Sequence, residues 1–228
     1  MIGTPSSVLS GDFPRFYVNE RSGESPHYAS GVPHSSDAAA VTAATPRRTD
    51  ARRNRERLVT AATAVFAEAG VDAPLDSVAR RAGVGNATMY RNFPTREALL
   101  EAVLQGLHET LARHAAELLT ATPAEDAFFR WVQLFVEYTQ SYLGLPEPIM
   151  ATMRDEESAL SASCRAMRTT AGRLLRRAQD AGELRRDVDA ADVCAHALGI
   201  AWSTQQVPDG QEQAARLLSV LMDGMRVR

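Results

Sequence analysis

The stretch RRAGVGNATMYRNF, Arg80 to Phe93, gathers side chains whose common chemistry is hydrogen bonding to an anion or to a base edge. Asn86, Thr88, Tyr90 and Asn92 offer neutral donors and acceptors, and Arg91 adds a cation. All 25 basic residues of the chain are Arg, none Lys, so any phosphate contact falls to a guanidinium, which binds phosphate bidentately. Bond-making chemistry is absent from the pattern. There is no Ser-His-Asp arrangement and no Walker-type loop, and Gly83-Val84-Gly85 alone is too short to cradle a phosphate. His108, His114 and His196 do not sit at metal-ligand spacing, and the acids Asp155, Glu156 and Glu157 have no His beside them. Cys164 and Cys194 belong to no CxxC pair and are expected to be reduced, buried and inert. Neither enzyme activity nor a metal or cofactor is expected.

Side chains of this kind need a rigid mount. Leu75, Val78, Ala79 and Ala82 give the segment PLDSVARRAG the apolar face of a short helix, opened by Pro74 and closed by Gly83. After the Gly83-Val84-Gly85 break, NATMYRNF spans about two helical turns. Met89 and Phe93 lie four apart and share the inward face, leaving Asn86, Ala87, Thr88, Tyr90, Arg91 and Asn92 outward. Two short helices joined by a glycine turn form a helix-turn-helix pattern, whose second helix is shaped to enter the major groove of double-stranded DNA. In front of it, DARRNRERLVTAATAVFAEAG repeats Leu58, Ala62, Val65, Phe66 and Ala69 at helical spacing. Order is expected from about Asp50. Behind it, Thr95 caps a long helix that runs until Pro123.

Charge is distributed unevenly. Net charge is -3 over 228 residues. From Arg47 to Phe93, however, nine Arg face five acids, while from Pro94 onward 14 Arg face 19 acids. A basic segment on an acidic body suits a polyanion-binding module attached to a different kind of domain. Residues 1–46, rich in Ser, Pro, Gly and Ala, are expected to form a disordered tail. No run approaches the roughly 18 apolar residues of a membrane span, and no secretion signal is visible. A cytoplasmic protein with no membrane partner is expected. Beyond Pro123 the helical segments fall at about 124–144, 147–157, 159–181, 189–206 and 210–226, and no segment alternates with a strand period. The fold class is all-α, with about nine helices.

The run LDSVARRAGVGNATMYRNFPTREALLEAVL resembles the DNA-binding core of the TetR family of bacterial transcriptional regulators. The likeness extends over about residues 50 to 105, with AGV, Thr-x-Tyr-x-x-Phe and TREALL in register. It implies a DNA-binding domain at 47–94 and an effector-binding and dimerisation domain at 95–228. Carried over position by position, it assigns base reading to Gly85, Asn86, Ala87 and Thr88, with Arg91 exposed beside them. Phosphate contacts go to Tyr90, Asn92 and Arg96. Arg47, Arg48, Arg52 and Arg53 add contacts to the DNA backbone. Two positions depart from the family. Asn92 stands where His is commoner, and Gly85 stands where Ser or Thr usually caps the recognition helix.

The same resemblance implies a pocket for a small apolar or aromatic effector. Trp131, Phe135, Tyr138 and Tyr142, with Met150, Met153 and Trp202, are its expected lining, although an aromatic stripe at this spacing also fits plain core. It further implies a homodimer through the last two helices, with Val193, Ala197, Ile200, Leu217, Leu218, Leu221 and Met225 at the interface. The expected function is a ligand-responsive repressor on a palindromic operator. An activator, or a helical interaction protein with a repurposed head, remains the alternative.

Overall fold

The computed structural model describes residues 46–121, 123–152 and 157–227. The expected disordered tail lies outside them, except Pro46, which opens the first helix. Nine helices make up the described residues: α1 Pro46–Ala69, α2 Leu75–Ala82, α3 Asn86–Asn92, α4 Arg96–Ala121, α5 Ala124–Gln140, α6 Pro146–Thr152, α7 Ser161–Asp180, α8 Ala190–Thr204 and α9 Gly210–Met225. The all-α class stands. Strand-like pairing among the described residues is confined to one antiparallel bridge, Leu184 to Arg226.

The helix ends follow local chemistry. α1 starts earlier than expected, at Pro46, a residue tolerated in a first turn because its missing N–H would have no helical partner there. α2 stops at Gly83, whose φ of 64° is left-handed. The Gly83 N–H returns to Arg80 and the Val84 N–H to Ala79, at 3.1 and 3.0 Å, which is the Schellman closure. Thr95 caps α4 by accepting from the Ala98 N–H at 3.1 Å. α5 ends at Gln140 rather than at 144. Ser141 to Gly144 form a turn, with Gly144 at a φ of 79°.

The apolar periods join one hydrophobic core that can be followed in two parts. In the first, Leu58, Ala62 and Phe66 of α1 pack with Val78 and Ala79 of α2, Met89 of α3 and Leu99 of α4. In the second, α5 lies centrally against α4, α7 and α8. Its residues Phe128, Trp131, Val132, Phe135 and Val136 are buried. α4 serves both regions, so the start of one helix is fixed to the first and its remainder to the second.

Candidate nucleic-acid interface

α3 is divided along its length. Met89 and Phe93 are fully buried, while Tyr90 is 47% exposed and Asn86, Ala87 and Arg91 are exposed beside it. The buried pair anchors the helix, so its outer face is held without spending polar atoms. Gly85 takes the N-cap position with an extended backbone and gives no side-chain hydrogen bond. Its carbonyl accepts from the Thr88 and Met89 amides at 2.8 and 3.1 Å. The first amides of α3 therefore face solvent together with Asn86 and Ala87, at the end of the helix that favours anions.

Several of the expected contact residues are already engaged within the chain. Arg91 folds back along α3, with Nε donating to the Ala87 carbonyl at 3.1 Å and Nη2 to Thr88 Oγ1 at 3.0 Å. Asn92 is half-buried, and Nδ2 donates to the Thr88 carbonyl at 2.8 Å. Arg96, also half-buried, uses Nη1 to bridge the carbonyls of Val71 and Ala73, at 2.5 and 2.8 Å. That nitrogen buckles the α1–α2 turn to the start of α4, leaving only the rest of the guanidinium for phosphate. On α1, Arg52 pairs with Glu56 at 3.5 Å and Arg53 is exposed. Arg47 and Arg48 belong to the first turns of α1, and their side chains lie outside the described residues.

Three further arginines stiffen this region, through partners that the sequence pattern did not mark. The Arg55 guanidinium lies 4.5 Å over the Phe93 ring, tying α1 to the end of α3. Arg57 donates to the Gly83 carbonyl at 3.4 Å. Arg81 pairs with Glu68, and that hydrogen bond holds the Glu68 carboxyl below its usual range.

The aromatic set of the larger region separates into different environments. Trp131 is fully buried, its Nε1 donates to the Leu111 carbonyl at 3.1 Å, and it stacks on Phe135 at 5.8 Å. That is a satisfied core tryptophan. Tyr142 is buried in the turn after α5, where burial first and Tyr138 second push its phenol up. Tyr138 and Met150 are half-buried. Trp202 is 60% exposed on α8 and does not join the others. Met153 lies outside the described residues. An open groove of about 500 Å³ runs elsewhere, along α4 from Gly106 to Ala116, with His108 and Arg113 in its lining.

The proposed interface residues also divide. Val193, Ala197, Leu218 and Met225 are buried within the chain. They pack into the chain's own core. Ile200 and Leu221 are half-buried and Leu217 is 37% exposed. The outward apolar residues are Trp202, Leu217 and Val220, the last 71% exposed.

Two family models match the chain. Residues 58–103 match the family model for bacterial regulatory proteins of the tetR family. Residues 123–227 match the model described as the C-terminal domain of SbtR-like transcriptional regulators. The structure of the TetR transcriptional regulator SCO0520 from Streptomyces coelicolor is 37% identical, with a TM-score of 0.56, covering 75% of this chain and 98% of that one. RolR, solved with the ligand resorcinol, shares the fold at 23% identity and a TM-score of 0.57, covering 76% of this chain and 90% of its own. TtgW of Pseudomonas putida, described as an uncharacterized HTH-type transcriptional regulator, is 43% identical over 56 residues, 24% of this chain and 42% of TtgW. That match thus spans less than half of the curated relative. Members of this family act by binding DNA and are not enzymes. With the recognition-helix geometry and both halves of the chain matched, the protein belongs to the TetR family of DNA-binding transcriptional regulators.

Proposed function

We propose that this chain is a ligand-responsive repressor that binds a palindromic operator as a homodimer in the cytoplasm. In this reading 47–94 is the DNA-binding domain and 95–228 the effector-binding and dimerisation domain. The observation that carries it is the apolar outer side of α8 and α9. Trp202 on α8 is 60% exposed, and Leu217 and Val220, three apart on α9, are 37% and 71% exposed, so both helices present large apolar side chains away from their own core. Large apolar residues grouped on a surface favour burial against a partner, and an identical copy would bring two α3 helices to one duplex about a twofold axis.

On each half-site, Asn86, Ala87 and Thr88 read base edges beside Gly85, while Tyr90 and the free part of Arg96 hold phosphates. Arg91, released from its own helix, reaches the same groove. Arg52, Arg53 and the first turns of α1 with Arg47 and Arg48 flank it. The effector is a small apolar or aromatic molecule, in keeping with the resorcinol held by RolR. Phe135, Tyr138, Tyr142 and Met150 around α5 and α6 are the residues offered to it. Effector and DNA would prefer different arrangements of the chain, and that difference alone supplies the linkage.

The test is a selection of bound sequences from random DNA, followed by Asn86→Ala on the recovered site. The reading expects a palindrome whose preference at one symmetric position relaxes in the variant, by about 1–3 kcal/mol of discrimination. A uniform loss across all sequences would remove Asn86 from base reading.

A further inference from the structure

The turn between α5 and α6 is gripped from two sides. On one side stands Gln205, the residue after α8. Its Nε2 donates to the carbonyls of Tyr142 and Gln140, at 2.8 and 3.2 Å, and its Oε1 accepts from the Gly144 N–H at 3.0 Å. One residue earlier, buried Thr204 accepts from Gln140 Nε2 at 2.6 Å and donates to the Ile200 carbonyl at 2.6 Å. On the other side, the Val71 N–H in the α1–α2 turn donates to the Leu143 carbonyl at 2.9 Å. The backbones meet closely at this joint because glycine stands on both sides. A Cβ on Gly70 would lie 3.2 Å from the Leu143 oxygen, and one on Gly144 would lie 3.3 Å from Val71 Cγ2. Both glycines have left-handed φ, 84° and 79°. The same α1–α2 turn is held from its other edge by Arg96 on the carbonyls of Val71 and Ala73.

We propose that Gln205 is a positioning residue for DNA recognition. It fixes the α5–α6 turn, and the turn fixes the helix-turn-helix head through Val71. The end of α8 is thereby a second anchor for the head beside α4. A head held by α4 alone can swing about the start of that helix; a second attachment removes the swing and sets the direction of α3 before DNA arrives. Within the turn the Ser141 N–H bonds the Glu137 carbonyl at 3.1 Å and the Tyr142 N–H the Thr139 carbonyl at 3.4 Å, while the Gly144 N–H and the Tyr142 and Gln140 carbonyls are met by the one amide of Gln205. A displacement at the end of α8 would reach the turn, and Val71 beyond it, through Gln205 together with the Thr204–Gln140 hydrogen bond. The inference needs only the DNA binding of the family and stands apart from the dimer and effector readings.

The experiment is amide hydrogen exchange on the full chain carrying Gln205→Ala, with sedimentation and DNA binding measured alongside. The Val71 and Gly144 amides should exchange about tenfold faster while the interior of α4 keeps its protection. Affinity for a selected DNA site should fall about tenfold more than affinity for random DNA, with the assembly state unchanged. Gln205→Glu keeps an acceptor for Gly144 but turns an oxygen toward two carbonyls, and should release Val71 in the same way. An unchanged Val71 amide, acceleration spread through α4 and α5, or a change of assembly state would each overturn the proposal. Should neither variant fold, the wild-type chain decides. DNA binding should then slow exchange at Val71 and Gly144 together with α3, and protection confined to residues 46–96 without Gly144 would overturn it.

Discussion

Tyr90 and Arg96 are matched to the same task in the family, yet their surroundings give them different work here. Tyr90 is 47% exposed, and Tyr90→Phe takes away only its hydroxyl. Tyr90→Phe should weaken specific and nonspecific DNA alike, severalfold, with an unchanged melting temperature. Arg96 carries two backbone carbonyls. Arg96→Ala should cost about 1–3 kcal/mol of stability as well as affinity, visible as a lower urea midpoint. Equal stability of the two variants would mean that the Arg96 buckle carries no weight. A different residue contributes to alkaline behaviour. Burial pushes the Cys194 thiol up from its ordinary value near 9 to about 12. The folded chain therefore keeps a proton that the unfolded chain has lost. Stability from this group is complete below about pH 9 and falls above it, by up to about 1.4 kcal/mol per pH unit until about pH 12. Urea titrations from pH 8 to 11 should show a flatter alkaline limb in Cys194→Ala than in the wild type.

At the scale of the element, α3 is the thinnest support for the function assigned to it. It has seven residues, and its cap is a glycine without a side-chain hydrogen bond. A Cβ at Gly85 would meet nothing within 4 Å, and the backbone there is already extended. Gly85→Ser should stabilise the head by about 0.5–1 kcal/mol through the added cap and the reduced freedom of the unfolded chain. A loss of stability in a thermal melt would contradict the cap geometry. The borders of α2, α3 and α4 were legible because glycine, proline and a capping threonine sit at them and act locally. The end of α5 was not. Tyr142 continues the helical spacing of Tyr138, so the period overran the true end. Gln205, 63 residues along from Tyr142, hydrogen-bonds the turn, and sequence periodicity carries no record of such a partner. The outer side of α8 and α9 was illegible for a related reason. Both helices are apolar on more than one face, and spacing alone does not say which face meets its own core. Val193, Ala197, Leu218 and Met225, expected at a dimer interface, are buried in the chain's own core, and Trp202, expected in a pocket lining, is 60% exposed.

For the whole molecule, the charge division and the exposed apolar residues carry the account. Nine Arg against five acids in 47–93 favour DNA, while the exposed Trp202, Leu217 and Val220 of α8 and α9 favour a partner of the same kind. Val220 is the most exposed of the three, at 71%. Val220→Arg should therefore leave the fold and its melting curve intact while shifting sedimentation from dimer to monomer. It should also weaken palindromic DNA far more than random DNA, because two coupled heads become two separate ones. A variant that still sediments as a dimer would move the interface elsewhere. The most direct test of the central claim is a selection of bound sequences from random DNA by the wild-type chain, at two salt concentrations. The account predicts a single palindromic site, retained at the higher salt after background binding has faded. Recovery of only salt-sensitive binding without a shared sequence would contradict it.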